Sequence, residues 1–252
     1  LSLPKGSIVG LLGRNGEGKT TLLKNLYGQL FSKEGEVDVL GFTPRERKVA
    51  FLQQVYMLPE EIHVPQMTIR RYFDLSAPFY PTYDEAVAQE LIDVFGLDWK
   101  MDLKKISQGQ KKKALIAFAL ALRVPLLLLD EPTNGLDIPS KALFRKVIAG
   151  NLPADSSLII STHQVHDVEQ LLDHVFVLNN SEMIINASVE EIAKEYEFTY
   201  RNANEMDENV LYAEPSLQGN AVIARRKADS PETTINLELF FNAATLGKLN
   251  NK

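Results

Sequence analysis

The sequence predicts an α/β fold built on a mostly parallel sheet, and three observations lead to this prediction. Short apolar segments that fit buried strands alternate with segments whose apolar residues recur at helical spacing. The segment Leu126–Leu129 is apolar throughout, which is typical of a strand buried on both faces. A glycine-rich loop separates the first predicted strand, 7–12, from the first predicted helix, 19–30.

The other elements follow from local patterns. Strands are predicted at 35–40, 48–52, 126–129, 157–160 and 175–178, and a hairpin at 210–226. Helices are predicted at 69–77, 83–95, 107–122, 139–150, 164–172 and 237–244. The long interval before Leu126 contains several of these helices, so an inserted helical subdomain is expected at about 56–122. The body of the helix ending at Leu122 is apolar on all sides and should be buried.

Composition limits the classes of protein to consider. The 252 residues are 45% hydrophobic and 24% charged, as in an ordinary globular chain, and the net charge is −6. This balance gives no sign of nucleic-acid binding, so no nucleic-acid partner is expected. The absence of cysteine excludes disulfides and thiolate metal sites. No secretory signal is visible, and because Leu1 lies almost on the first strand, further residues are expected upstream.

Residues 13–20 match the phosphate-binding pattern G-x-x-x-x-G-K-[ST] at every fixed position. Glycines such as Gly16 and Gly18 let backbone N–H groups point at an anion, and the following helix adds its positive N-terminal end. Lys19 is predicted to reach the β and γ phosphates, and Thr20 to hold Mg²⁺. A glycine-rich turn that binds nothing is the alternative. With this loop, the predicted fold becomes that of a P-loop nucleoside triphosphatase.

The strand 126–129 runs directly into Asp130 and Glu131. A buried parallel strand delivers its last residues to the carboxyl edge of the sheet, where ligands bind in α/β folds. Asp130 is therefore predicted to hold Mg²⁺ and Glu131 to polarise an attacking water. The alternative is a strand that ends in two solvated acids.

With these motifs in place, the chain resembles the ATP-binding cassette (ABC) family over about residues 1–196. Five motifs occur in the family's order: the phosphate loop 13–20, Phe51–Gln54 as the glutamine loop, Ile106–Gln110 as the signature, 126–137, and Ser161–Gln164 with the switch histidine. The stretch 79–83 and the inserted helices look most like the bacterial subfamily whose ATPase subunits pair with separate permease chains. The resemblance implies a sheet core, a small antiparallel β part and an inserted α-helical subdomain. Residues 197–252 lie beyond the resemblance and are expected to form a small α/β appendage.

The resemblance also implies the site residues. ATP would contact Asn15, Gly16, Gly18, Lys19, Thr20, Thr21, Ser107, Gly109, Gln110 and Asp137; Mg²⁺ would contact Thr20, Gln54 and Asp130; catalysis would depend on Glu131, His163 and Gln54. Two positions depart from the family pattern, because Gln108 replaces a signature glycine and Gln53 replaces the usual proline. The three lysines 111–113 crowd a helix N-terminus, where a bound phosphate would offset their charge; a solvated basic face is the alternative.

The implied function is an ATP-hydrolysing subunit that powers a membrane transporter, with export as the expected direction. It would form a head-to-tail dimer, expected to be a homodimer, with two ATP molecules between the subunits, and would bind a permease at the inner face of the cell membrane. A soluble ABC protein acting on DNA or the ribosome is the alternative, although the chain holds neither a long coiled-coil interval nor a second cassette. A non-hydrolysing switch is disfavoured because Glu131 and His163 fill both hydrolytic positions. The aromatic residue that stacks on adenine is expected upstream of Leu1.

Overall fold

A six-stranded sheet forms the centre of the molecule in a computed structural model that describes residue 3, residues 5–227, residue 230 and residues 232–249. Its strands are β1 (Ile8–Leu12), β2 (Val55–Leu58), β3 (Leu126–Asp130), β4 (Ser157–Thr162), β5 (His174–Asn179) and β6 (Glu182–Ser188). They lie in the order β2-β3-β4-β1-β5-β6. The first five run parallel, and β6 pairs antiparallel with β5. The predicted mostly parallel sheet is therefore confirmed.

Helices cover both faces of this sheet. They are α1 (Lys19–Leu26), α2 (Val49–Leu52), α3 (Ile69–Ser76), α4 (Glu85–Val94), α5 (Gln108–Ala121), α6 (Ile138–Asn151), α7 (Val189–Glu195) and α8 (Leu237–Thr245). Alternate side chains of β3 enter the two cores, since Leu126 and Leu128 pack on the α1 face while Leu127 and Leu129 pack on the other. This two-sided burial explains why the strand is apolar throughout.

The helices α3 and α4 lie between β2 and β3 in the chain and pack around α5. The body of α5 is buried, as its uniformly apolar sequence predicted. Phe118 of α5 makes edge-on ring contacts with Phe73 and Tyr72 of α3, with ring centroids 4.9 and 5.4 Å apart. The inserted helices therefore share the core of one face of the sheet.

Three predicted elements differ in the structure. The segment 35–40 forms no strand and contributes only the isolated bridge between Val39 and Phe42. The segment 48–52 contains the short helix α2, and the strand beside β3 begins only at Val55. The predicted helix 164–172 is replaced by two 3₁₀ turns, Val165–Asp167 and Glu169–Leu171. Short apolar runs fit a strand or a helix turn equally well, which explains these errors.

A second, antiparallel sheet follows. Its strands are β7 (Tyr196–Arg201), β8 (Val210–Ser216) and β9 (Gly219–Arg225), in the order β7-β9-β8. The hairpin at 210–226 and the helix at 237–244 are confirmed by β8, β9 and α8, whereas the patterns did not reveal β6, α7 and β7. The buried residues of α8 join the core that also contains residues of β5. The division into 1–196 and 197–252 stays a prediction.

Candidate nucleotide site

The loop 13–18 connects β1 to α1 and leaves the first turn of the helix without a side-chain cap. Gly16 and Gly18 have φ values of 87° and 97°, a left-handed conformation that glycine adopts at little cost. Since a Cβ at either position would meet no described atom within 4 Å, the backbone conformation and not crowding requires glycine there. The uncapped N–H groups of α1 can therefore bind an anion.

Lys19 is buried at the base of this loop. Its Nζ donates hydrogen bonds to the carbonyl oxygens of Gly13 and Arg14, at 2.8 and 3.2 Å. The same Nζ lies 3.3 Å from Oε1 of Glu131. The ammonium is thus held in the loop by backbone oxygens, where it can balance the charge of a phosphate.

Asp130 is buried at the end of β3 and is held from two sides. Thr20 Oγ1 donates to its Oδ2 at 2.7 Å, and Ser161 Oγ donates to its Oδ1. The parallel register pairs Asp130 with Ser161, so the sheet itself fixes this contact. A carboxylate and a hydroxyl are hard oxygen ligands that suit Mg²⁺, which in such sites takes one or two protein carboxylates together with phosphate oxygens. No group of three or more histidine or acidic side chains that could hold a metal ion occurs among the described residues.

Glu131 is buried directly after β3, with a positive φ of 45°. Its backbone N–H donates to the carbonyl oxygen of Ser161 at 3.1 Å. Its Oε1 lies 2.9 Å from Nδ1 of His163, while its Oε2 has no hydrogen-bond partner among the described residues. A buried, unpartnered carboxylate oxygen carries a substantial free-energy cost, and such orphaned groups are typical of sites that bind or activate a further molecule. One oxygen of Glu131 is therefore held, and the other is available to a water.

Lys112 is a site residue whose role the sequence left open. Its Nζ donates to the carbonyl oxygens of Glu131 and Asn134, at 2.9 and 2.8 Å, and the side chain is buried. Burial lowers the pKa of the Lys112 ammonium, because removal from water disfavours the charged form. Of the lysine triplet, this middle residue fixes the loop after β3, so the solvated interpretation does not hold for Lys112.

The structure contradicts the prediction that Gln54 is a catalytic and Mg²⁺-binding residue. Gln54 immediately precedes β2, and its Nε2 donates to the carbonyl oxygen of Ala50 at 2.8 Å. The parallel register aligns Val55 with Leu126, so Gln54 lies at the amino edge of the sheet. Asp130 lies at the opposite, carboxyl edge. The prediction for Gln54 is wrong because β2 follows Gln54 instead of preceding it.

The residue that enters the site from β2 is Glu60. A cleft of about 250 Å³ is lined by Asn15, Gly16, Gly18, Lys19, Thr20, Thr21, Glu60 and Glu131. Glu60 follows the end of β2 after Pro59, and its Oε1 accepts a hydrogen bond from Asn134 Nδ2 at 3.0 Å. The signal that could have found it is the proline and acid directly after the apolar run 55–58, since Gln53 had already replaced the expected proline.

The predicted signature residues lie outside this cleft. Ser107 is the N-cap of α5: its Oγ accepts from the N–H of Gln110 at 3.2 Å, and Gln110 Oε1 accepts from the N–H of Ser107 at 3.1 Å. Asp137 caps α6 in a similar way, and hydrogen bonds from Ser140 lower its pKa. Within one chain, the structure brings together the phosphate loop, Asp130, Glu131 and His163, but leaves Ser107, Gly109, Gln110 and Asp137 on a separate surface.

Comparison with known proteins agrees with this site. The sequence profile described as ABC transporter matches residues 1–134. The chain is 27% identical over 197 residues to the ABC transporter ATP-binding protein YtrB of Bacillus subtilis, covering 78% of this chain and 68% of the relative. It is 31% identical to the bacitracin transport ATP-binding protein BcrA of Bacillus licheniformis, covering 73% and 61%. It is also 31% identical to the Nod factor export ATP-binding protein I of Bradyrhizobium diazoefficiens, covering 71% and 60%.

Solved structures agree on the fold. An ATP-binding subunit of an ABC transporter has a TM-score of 0.69 at 24% identity, covering 76% of this chain and 82% of that chain. An ATP-binding protein of a putative ABC transporter from Pyrococcus furiosus has a TM-score of 0.57 at 29% identity, covering 64% and 80%. The fold and the loop define a P-loop ATPase. More narrowly, the chain belongs to the ABC transporter family, whose ATP hydrolysis is coupled to transport.

None of the helices within the described ranges combines the length and the apolar character needed to cross a bilayer.

Proposed function

We propose that this chain binds Mg·ATP in the cleft of the phosphate loop and that Glu131 acts as the general base for its hydrolysis. The unpartnered, buried Oε2 of Glu131 carries this proposal. Lys19 and the loop N–H groups bind the phosphates, while Thr20 and Asp130 hold the metal. Mg²⁺, when bound, neutralises negative charge on the phosphates. Glu131 Oε2 accepts a proton from a water, and the contact of Oε1 with His163 keeps the carboxylate in place.

The second half of the site comes from another copy of the chain. Ser107 is exposed at the N-terminus of α5, and its capping box is complete without any ligand. Asp137 is exposed as well, and the side chain of Ile138 beside it is 85% exposed. These features support a head-to-tail homodimer in which the signature of one protomer faces the phosphate loop of its partner.

Exposed apolar residues and the name of a relative also support a permease partner and a direction of transport. The inserted segment exposes Leu75, Phe79 and Val94, with Phe79 70% exposed, which supports this segment as the contact with an integral-membrane permease at the inner face of the cell membrane. Export is supported by the relative named for Nod factor export. Transport into inverted vesicles that contain the permease tests the direction: ATP-dependent accumulation supports export, and ATP-dependent loss from preloaded vesicles contradicts it.

The variant Glu131→Gln tests the catalytic assignment. We expect phosphate release to fall by at least about 100-fold, because a carboxamide cannot accept the proton, while ATP still binds. Size-exclusion chromatography with Mg·ATP should then show a stable dimer. Glu90→Gln, an exposed glutamate of α4, is the matched control and should hydrolyse ATP at the normal rate. A variant that releases phosphate as fast as the control, or that stays monomeric with Mg·ATP, would contradict the proposal.

A further inference from the structure

A chain of polar side chains joins Glu60 to Glu131 across three separate loops. Its contacts are Asn134 Nδ2 to Glu60 Oε1 at 3.0 Å, Gln164 Nε2 to Asn134 Oδ1 at 3.2 Å, Gln164 Nε2 to His163 Nε2 at 3.3 Å, and His163 Nδ1 to Glu131 Oε1 at 2.9 Å. Lys141 Nζ joins it from α6 by donating to Gln164 Oε1 at 3.1 Å. Two of its members, Asn134 and Gln164, have no role in the proposed hydrolysis.

Two charged residues, Lys141 and Glu60, fix the orientation of the Gln164 and Asn134 amides. Lys141 only donates hydrogen bonds, so the oxygen of the Gln164 amide faces Lys141, and the NH₂ group faces Asn134 and His163. Glu60 as a carboxylate only accepts, so the NH₂ group of Asn134 faces Glu60 and its oxygen faces Gln164. Lys141 also forms an ion pair with Asp167, at 2.6 Å, which holds the ammonium in place. The two amides therefore have one consistent orientation.

This orientation determines the proton position on His163. The Gln164 amide points an N–H at Nε2, so Nε2 must carry the lone pair. Nδ1 must then carry the proton, and it faces the carboxylate oxygen of Glu131, which accepts. The remaining arrangements, a proton on Nε2 alone or on both nitrogens, would place two N–H groups against each other.

We propose that Asn134 and Gln164 are positioning residues that hold His163 as the neutral Nδ1–H tautomer in the nucleotide-free protein, with Glu60 and Lys141 directing them. The inference deepens the proposed function, because it concerns the histidine that keeps Glu131 in place. It also gives Glu60 a role, which is to orient Asn134. Glu60 belongs to the segment between β2 and the first inserted helix, α3. A movement of that segment would remove the contact that orients Asn134.

Histidine ¹⁵N spectra of the full, nucleotide-free chain test the proposal. The chain contains four histidines, so the signals of His163 are assigned as those lost in His163→Gln. The unmodified chain should show a protonated Nδ1 and an unprotonated Nε2. Gln164→Leu should give a mixture of tautomers. Gln164→Glu should protonate both nitrogens, because Glu131 still accepts from Nδ1 and the new carboxylate accepts from Nε2. Gln170→Leu, an exposed glutamine nearby, should leave the spectrum unchanged.

Hydrolysis provides the second measurement. Outer partners that orient a functional histidine typically contribute about 10-fold or more to activity in metal sites, so Gln164→Leu should lower kcat by ~10-fold with little change in KM. An unchanged Nδ1–H tautomer in Gln164→Glu, or an Nε2–H tautomer in the unmodified chain, would overturn the proposal. If instead the tautomers follow the substitutions but the unmodified chain does not hydrolyse ATP, the tautomer inference stands and the proposed function fails.

Discussion

The phosphate cleft and the signature surface differ in how their polar groups are satisfied. In the cleft, Lys19, Asp130 and Glu131 are buried. Lys19 contacts Glu131 and the backbone of the phosphate loop, and Asp130 accepts from the side chains of Thr20 and Ser161. On the signature surface, Ser107 and Asp137 are exposed, and each one only caps its own helix. The cleft is organised by distant parts of one chain, whereas the hydrogen bonds of Ser107 and Asp137 are local to their own helices.

This difference indicates how each region depends on binding. The cleft is prearranged by the sheet register, so substitutions there should change affinity or turnover directly. The signature surface is complete as a helix terminus but incomplete as part of a site, so a substitution there should change ATP hydrolysis only when two copies meet. The predictions below test this distinction, beginning with the largest expected effect.

The variant Lys19→Ala should weaken ATP binding by about 10- to 100-fold. A charge-assisted hydrogen bond contributes about 1.5–3 kcal/mol, and the ammonium is already held in the cleft. Isothermal titration with a non-hydrolysable ATP analogue measures the affinity. Lys24→Ala, in the last turn of the same helix, is the control and should bind normally. Equal affinities in the two variants would refute the phosphate role of Lys19.

Two serines provide a matched comparison of a capping role with a site role. Ser107 and Ser188 both begin a capping box, on α5 and α7 respectively. Replacing either one with alanine should lower the free energy of unfolding by about 1 kcal/mol, measured in urea. Only Ser107→Ala should also reduce ATP-dependent dimerisation and phosphate release, because only Ser107 is proposed to face a bound phosphate. If Ser188→Ala reduces hydrolysis equally, the effect is one of stability, and the composite site loses its support.

Lys112→Met should have the smallest effect, on stability more than on binding. The substitution leaves the carbonyl oxygens of Glu131 and Asn134 without their donor, at a cost of about 1–3 kcal/mol, while relieving the burial of an ammonium. A net loss of ~1 kcal/mol in the free energy of unfolding is expected. Lys111→Met, one residue earlier and less buried, should be close to neutral. Stability equal to that control would mean that the loop is held by other contacts.

Much of the fold and site could be predicted because their signals are local. Three features can be recognised from a few consecutive residues: the phosphate loop, the acids at the end of β3 and the uniformly apolar α5. Gln54 was misassigned because two apolar runs, 49–52 and 55–58, flank the glutamine pair, and periodicity does not distinguish the run that forms a strand. Only pairing with β3 decides it, and that partner is distant in sequence.

The polar chain from Glu60 to Glu131 could not be predicted for a related reason. Asn134 meets Glu60 across 74 residues of sequence and Gln164 across 30. Neither contact has a local pattern, since asparagine and glutamine are ordinary loop residues. Their meeting depends on the parallel strands ending at the same edge of the sheet, a property of the assembled sheet.

The position of α8 has a consequence for any shortened form of this protein. Val165, in the 3₁₀ turn just beyond His163, shares a hydrophobic core with Leu237 and Phe240 of α8. A chain cut after residue 196 would expose that turn to water and loosen the support beneath the imidazole. A catalytic defect in such a truncated protein would therefore result from lost packing beneath His163, even if the removed residues do not contact ATP.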